Sequence, residues 1–121
     1  MRAPFFLLPA LAVAIAPALA ADQHPASFVG VYDGGQMEMA AGLELSKDGR
    51  FRYGLSYGAL DEVASGTWSV TADAVTLVVQ QYESNDPSSD GKFGPSVLKV
   101  EKGELLIPRY DRLLRFRKQG K

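Results

Sequence analysis

The alternation of apolar and polar residues constrains the fold of this chain more than any other feature. Beyond residue 26 the apolar positions recur with a period close to two, as where Phe51, Tyr53 and Leu55 are each separated by arginine or glycine. Side chains of a strand point alternately to its two faces, so this period buries one face of a sheet. No window of about 11 residues in the expected mature chain carries a helical stripe. We therefore predict an all-β domain.

Eight short strands are expected within residues 27–118, which form a single domain. They are predicted at 28–32, 37–45, 51–57, 63–70, 74–81, 96–101, 104–107 and 113–117. Tight turns separate most of them, and Asp48-Gly49 supplies the positive φ that a hairpin needs. Each strand should therefore pair with the next, and a meander of this length can close and remove its edges. We predict a small antiparallel up-and-down barrel whose one long loop is 82–95, with a β-sandwich as the alternative.

The first 20 residues differ in kind from the rest. Arg2 gives a positive start, residues 5–15 are an apolar run interrupted only by Pro9, and residues 18–20 read Ala-Leu-Ala. This is the pattern of a secretory signal peptide, whereas a membrane anchor would need about 20 apolar residues without breakers. We expect a signal peptide at 1–20, a flexible leader at 21–26 and a tail at 119–121. The mature protein is expected in the periplasm or outside the cell.

Cysteine content and charge narrow the classes of function. The chain has no cysteine, which excludes disulfides, zinc–thiolate sites and thiol redox chemistry. Residues 109–121 hold six basic side chains against one acidic side chain, whereas the body is acidic. Six charges are few, and they favour a solvated last strand paired with acidic neighbours over an anion-binding surface. We expect a monomer with no nucleic-acid partner and no membrane span in the mature chain.

A series of short motifs follows the order of the strands. The motifs are Gly30-Val31-Tyr32, Leu43-x-Leu45-x-x-Asp48-Gly49-x-Phe51-x-Tyr53, Gly66-Thr67-Trp68, Val75-x-Leu77, Leu98 and Leu105. Their order resembles small bacterial lipocalin-like barrels. It is most similar to the N-terminal barrel of the outer-membrane lipoprotein family that senses copper and surface contact. The resemblance implies a barrel fold and a location in the cell envelope. The cysteines of that family are missing here, so no thiol-dependent function is implied.

Four aromatic residues with polar tips are candidates for a ligand pocket: Tyr53, Tyr57, Trp68 and Tyr82. Rings of this kind suit an apolar cavity that is open to solvent at one end. An eight-stranded barrel is at the size where the interior either holds one small ligand or is filled by its own side chains. A filled interior is the favoured alternative, because about 100 residues leave few long strands to enclose a cavity.

Residues 57–62 predict a turn at the barrel rim, with Leu60 exposed beside two carboxylates. Leu60 and Asp61 are therefore candidates for contact with a partner protein. Asp61 is expected to hydrogen-bond to the backbone of its own turn. A hydrolase that uses Asp61 or Glu62 with a tyrosine is the less favoured alternative, because paired carboxylates must face each other across a cleft.

Residues 86–91 read Asp-x-Ser-x-Asp-Gly, which matches the first half of a calcium-binding loop. The loop's twelfth position should be a bidentate glutamate and is Val97 here, so a polar turn is favoured and no metal site is predicted. His24, the only histidine, is expected at the surface of the leader.

No catalytic or cofactor-binding motif is present, and we predict that the protein is not an enzyme. The main hypothesis is an exported barrel that binds either a small apolar ligand or an envelope protein. An inhibitor or structural module that presents the 82–95 loop is the first alternative, and the carboxylate-dependent hydrolase is the second.

Overall fold

The computed structural model describes residues 23–88, 91–94 and 96–120. Within them, eight antiparallel strands form a closed barrel in which each strand pairs with the next and the last pairs with the first. The predicted all-β barrel is confirmed, and the sandwich alternative is wrong. The strands are β1 (Gly30–Asp33), β2 (Met39–Leu45), β3 (Arg50–Tyr57), β4 (Leu60–Thr71), β5 (Ala74–Ser84), β6 (Val97–Glu101), β7 (Glu104–Arg109) and β8 (Arg112–Lys118).

The predicted signal peptide at residues 1–20 lies outside the described residues. Among the described residues, no helix has the length and apolar character needed to cross a membrane. The described chain has one short helical segment, a 3₁₀ turn at Ala26–Phe28.

The hairpin formed by β4 and β5 is longer than the sequence predicts. β4 begins at Leu60, so the turn after β3 is only residues 58–59 and Glu62 belongs to the strand. β5 continues to Ser84, which pairs with Glu62. The prediction of a turn over 57–62 is therefore wrong. Backbone pairing outweighs the low strand propensity of the acidic residues, since strand propensity depends strongly on tertiary context.

The two ends of the barrel differ. One end, here called the mouth, carries the turns at 34–38, 58–59 and 110–111 together with the long loop between β5 and β6. The other end, here called the base, carries the turns at 46–49, 72–73 and 102–103. The N-terminal segment lies at the base, where the Gln23 carbonyl accepts a 3.0 Å hydrogen bond from the Val70 N–H. The His24 ring, though exposed, lies edge-on to Trp68 with centroids 5.1 Å apart.

The interior is filled by the barrel's own side chains, in agreement with the favoured alternative. The large residues with almost no exposure are Trp68, Tyr32, Phe51, Phe116, Leu45, Leu98, Leu105, Ile107 and Leu114. Trp68 closes the core near the base, and its Nε1 donates a 2.9 Å hydrogen bond to the Ser46 carbonyl. A packed interior leaves no room for a guest molecule at this level of the barrel.

Three mid-strand glycines meet different surroundings. The pairing of β4 with β5 shifts register between Ser65 and Gly66, and a Cβ on Gly66 would lie 1.9 Å from the Val78 carbonyl oxygen. Gly42 and Gly54 pair with each other across β2 and β3, without a break in register. A Cβ on either would meet nothing closer than 3.9 Å. Close packing therefore requires a glycine at Gly66 but not at the other two positions.

Alanine substitution at these positions should separate the two cases. Gly66→Ala should lower the free energy of unfolding by about 1–3 kcal/mol because the methyl group collides with backbone. Gly42→Ala and Gly54→Ala should raise it by about 0.4–1 kcal/mol, since alanine reduces the entropy of the unfolded chain. Urea unfolding of the three variants measures this difference. Equal destabilisation by all three would contradict it.

Candidate functional site

A buried carboxylate lies inside the mouth of the barrel. Glu62 and Trp68 lie an even number of positions apart on β4, so their side chains share the inner face of the strand. Only 2% of the Glu62 surface is exposed. Its Oε1 accepts hydrogen bonds from the hydroxyls of Tyr82 at 2.7 Å and Tyr110 at 2.6 Å, and its Oε2 accepts one from Tyr53 at 2.6 Å. Nη2 of Arg109 lies 2.8 and 2.7 Å from the two oxygens. We call these five residues the carboxylate cluster.

The long loop covers this cluster with one aromatic side chain. Phe93 is buried, and its carbonyl accepts a hydrogen bond from Nη1 of Arg109. The guanidinium lies 4.4 Å from the centroid of the Phe93 ring, and that ring stands edge-on to Tyr53 at 4.9 Å and to Tyr82 at 5.6 Å. Nε of Arg109 is buried without a hydrogen-bond partner. Phe93 therefore closes the mouth above the ion pair.

The electrostatics of the cluster keep Glu62 charged. Burial raises the pKa of Glu62, but hydrogen bonds from Tyr110, Tyr53, Tyr82 and Arg109 outweigh it and hold that pKa below its ordinary value. Burial lowers the pKa of Arg109, and its hydrogen bond to Glu62 reverses the shift and raises it. Burial and the nearby carboxylate raise the pKa of all three tyrosines. At neutral pH the cluster is an ion pair surrounded by neutral hydroxyls.

The chemistry open to Glu62 follows from its partners. Both carboxylate oxygens already accept hydrogen bonds, and a general base needs a free acceptor within reach of a substrate proton together with a pKa near the working pH. Asp61 lies on the opposite, outer face of β4, so the two carboxylates do not face each other across a cleft. The arrangement is that of a structural ion pair.

The two residues predicted to contact a partner lie at the mouth. Asp61 is exposed, and its carboxylate accepts a 2.6 Å hydrogen bond from the Ser56 hydroxyl on the neighbouring strand. The expected bond to its own turn backbone is not formed, because Asp61 lies in a strand and its N–H donates to Asn85 Oδ1 at 2.9 Å. Leu60 is half-buried and packs against the core, so the expectation of an exposed apolar residue is wrong.

Also at the mouth, the turn that joins β1 to β2 presents an exposed methionine. Met37 is 78% exposed, at the tip of a turn whose Gln36 and Met39 exchange backbone hydrogen bonds of 2.9 and 2.8 Å. Arg112 donates from Nη1 to the Met37 carbonyl at 3.0 Å and from Nη2 to the Tyr57 hydroxyl at 2.9 Å. We call Met37, Tyr57, Leu60, Asp61 and Arg112 the rim.

The four aromatic residues proposed for one ligand pocket do not come together. Tyr53 and Tyr82 belong to the carboxylate cluster, Tyr57 lies at the rim, and Trp68 lies near the base. Sequence reasoning missed Arg109, which it counted among the charges of a basic end. Its parity with Leu105 and Ile107 was the signal that it points inward.

The remaining polar candidates form local or surface contacts. Asp86 Oδ1 accepts bonds from the Ser88 N–H at 2.9 Å and hydroxyl at 2.8 Å, which is the pattern of a polar turn. Asp90 lies outside the described residues. Within the described ranges, no group of three or more His, Asp or Glu side chains is arranged to hold a metal ion. Arg115 pairs with Glu104 at 2.8 Å, as expected for a last strand with acidic neighbours.

The chain matches no protein-family model, no curated protein and no solved structure.

Double-mutant analysis should reveal the coupling of Glu62 with Arg109. Glu62→Gln should cost about 3–5 kcal/mol, because it leaves a buried guanidinium without a counter-ion. Arg109→Met should cost less, since Glu62 retains three hydroxyl donors and can take up a proton. The double variant should be more stable than the sum of the two effects implies. Glu44→Gln, at the exposed pair with Arg52, is the matched control and should cost under about 1 kcal/mol. Additive effects at the buried pair would contradict this expectation.

Stability should also fall at low pH in a way that depends on Glu62. The pKa of Glu62 is lower in the folded than in the unfolded state, so its stabilising contribution is complete above an unfolded value of about 4.3. It is lost as the pH falls through the folded value. Urea unfolding between about pH 2 and 7 should show a steeper acid loss for the wild type than for Glu62→Gln. Parallel curves would contradict the assignment.

Proposed function

We propose that this protein is an exported, non-enzymatic barrel that binds an envelope protein through its rim. The signal-peptide pattern of residues 1–20 supports export. The closed eight-stranded meander supports the barrel part of the proposal. The filled interior favours a protein partner on the outside over a small apolar ligand within.

The observation that carries the rim assignment is the exposure of Met37 on an ordered turn. Burying a large apolar side chain gives an interface much of its free energy, and methionine, tyrosine and arginine are enriched there. Arg112 fixes both the turn and the Tyr57 hydroxyl, so little conformational entropy remains to be lost on binding. The Arg112 donors are already partly satisfied within the rim. The rim therefore suits a partner whose surface has an apolar pocket that can bury the Met37 side chain.

The two alternatives have less support. Phe93 holds the middle of the long loop inside the mouth, which reduces the part of the loop that is available for presentation. Hydrolysis would require Glu62 to give up hydrogen bonds from four residues, or Asp61, on the outer face of β4, to act without Glu62.

Site-specific photo-crosslinking in producing cells tests the rim. A photoreactive amino acid in place of Met37 should yield a discrete adduct with one envelope protein. The same group in place of Val78, which is 55% exposed on the outside of β5, should yield none. Arg112→Ala should reduce the Met37 adduct several-fold, because the turn loses the contact that fixes it. Equal adducts from both positions, or an adduct indifferent to Arg112→Ala, would refute the proposal.

A further inference from the structure

A groove runs across the outer wall of the barrel, and none of the rim residues lines it. It spans β1 to β5, is open to solvent and has a volume of about 600 Å³. Its floor is the paired backbone of Gly42 and Gly54, and its walls include Val31 and Val63, which are 54% and 52% exposed. The outside of a barrel is convex, so a hollow forms here because two neighbouring side chains are missing.

No turn, bulge or close contact requires these two glycines. Neither has a positive φ, the register runs through both without a shift, and a Cβ on either finds only ordinary contacts. A glycine in the middle of a strand weakens it, because it loses more backbone entropy on folding and offers no side chain to pack. A glycine inside a strand marks a bulge, a tight bend of a barrel, or a place where a ligand or another chain approaches the backbone closely, and the unbroken register argues against the bulge.

Nothing in the described chain covers the floor. In a sheet, a glycine can be shielded by an aromatic side chain from a neighbouring strand. The outward neighbours are Asp33, Ala40, Glu44, Arg52, Ser56 and Val63, none of which is aromatic. The Arg52 side chain is 79% exposed and is held beside the floor by Glu44 at 2.8 Å. A planar guanidinium at this position can stack on an aromatic ring.

The charges around the groove define the occupant further. Glu44 and Glu83 line it, and Asp61 lines the adjoining hollow over the same glycines. Arg52 is the one cation among the groove's lining residues, and Glu44 pairs with it. The surroundings are therefore acidic, and a cationic group next to the ring would be attracted to Glu83 and Asp61.

We propose that the Gly42–Gly54 floor is a docking site for a segment of a partner protein that lays an aromatic side chain on the two glycines and directs a neighbouring arginine or lysine to Glu83 and Asp61. This surface shares Asp61 with the rim but includes neither Met37 nor Arg112, so it does not depend on the rim proposal. Burial of one aromatic side chain removes about 150–250 Å² of its surface from water. This area is small, so the site contributes to the choice of partner more than to the total affinity.

Heteronuclear NMR of the mature protein tests the site with two dipeptide probes, N-acetyl-Trp-Arg-amide and N-acetyl-Trp-Glu-amide. The first should shift the amide signals of Gly42, Gly54, Val63 and Ser65. It should bind about two- to fivefold more tightly than the second, which is the ratio expected for a surface charge contact. Added salt should reduce this preference.

Variants separate docking from folding. Gly54→Thr should leave the melting temperature unchanged or raise it, and should weaken the first probe at least about tenfold by filling the floor. Val78→Thr, on the outer face of β5, is the control and should leave binding unchanged. Shifts that map elsewhere, or binding that survives Gly54→Thr, would overturn the proposal. So would equal binding of the two probes, or a Gly54→Thr chain that fails to fold, since the glycine would then belong to the fold. None of these results bears on crosslinking at Met37.

Discussion

The carboxylate of Glu62 joins more of this barrel than any other single group. Its partners come from β3, β5, β7 and the turn after β7, while Glu62 itself lies on β4. An unpaired buried charge costs several kcal/mol. Loss of any one of the hydrogen-bond donors to Glu62 would therefore destabilise the folded barrel. The hydrogen bonds fix the relative positions of strands that are distant in sequence. The geometry of the mouth, including the position of Phe93, depends on these hydrogen bonds.

A polar centre of this kind contributes to uniqueness as well as to stability. Apolar residues tolerate small shifts in packing, whereas a carboxylate shared by three hydroxyls and a guanidinium is satisfied in few arrangements. The base has no equivalent cluster among its described residues. There Trp68 packs among apolar side chains, and its one polar atom bonds to a backbone carbonyl. The two ends of the barrel are therefore ordered by different forces.

The sequence predicts the barrel well because alternation and turn chemistry are local signals. Leu43, Tyr53 and Leu77 all point inward as their periodicity requires. The cluster is harder to predict, because the sequence places Glu62 in a turn. Only if the strand that holds Trp68 is extended back to Glu62 does the alternation of side chains place Glu62 inside the barrel. The approach of Arg109 to Glu62 joins residues 47 positions apart, and the position of Phe93 depends on the path of a long loop. Neither follows from a pattern along the chain.

The course of the N-terminal segment determines how the molecule can be displayed. The Gln23 carbonyl and the His24 ring are held at the base, where His24 lies against Trp68 and above Gly49. A tether joined to the chain ahead of Gln23 would therefore leave from the base. A molecule immobilised in this way would hold Met37 outward, at the end farthest from its support, with the glycine-floored wall open along its flank.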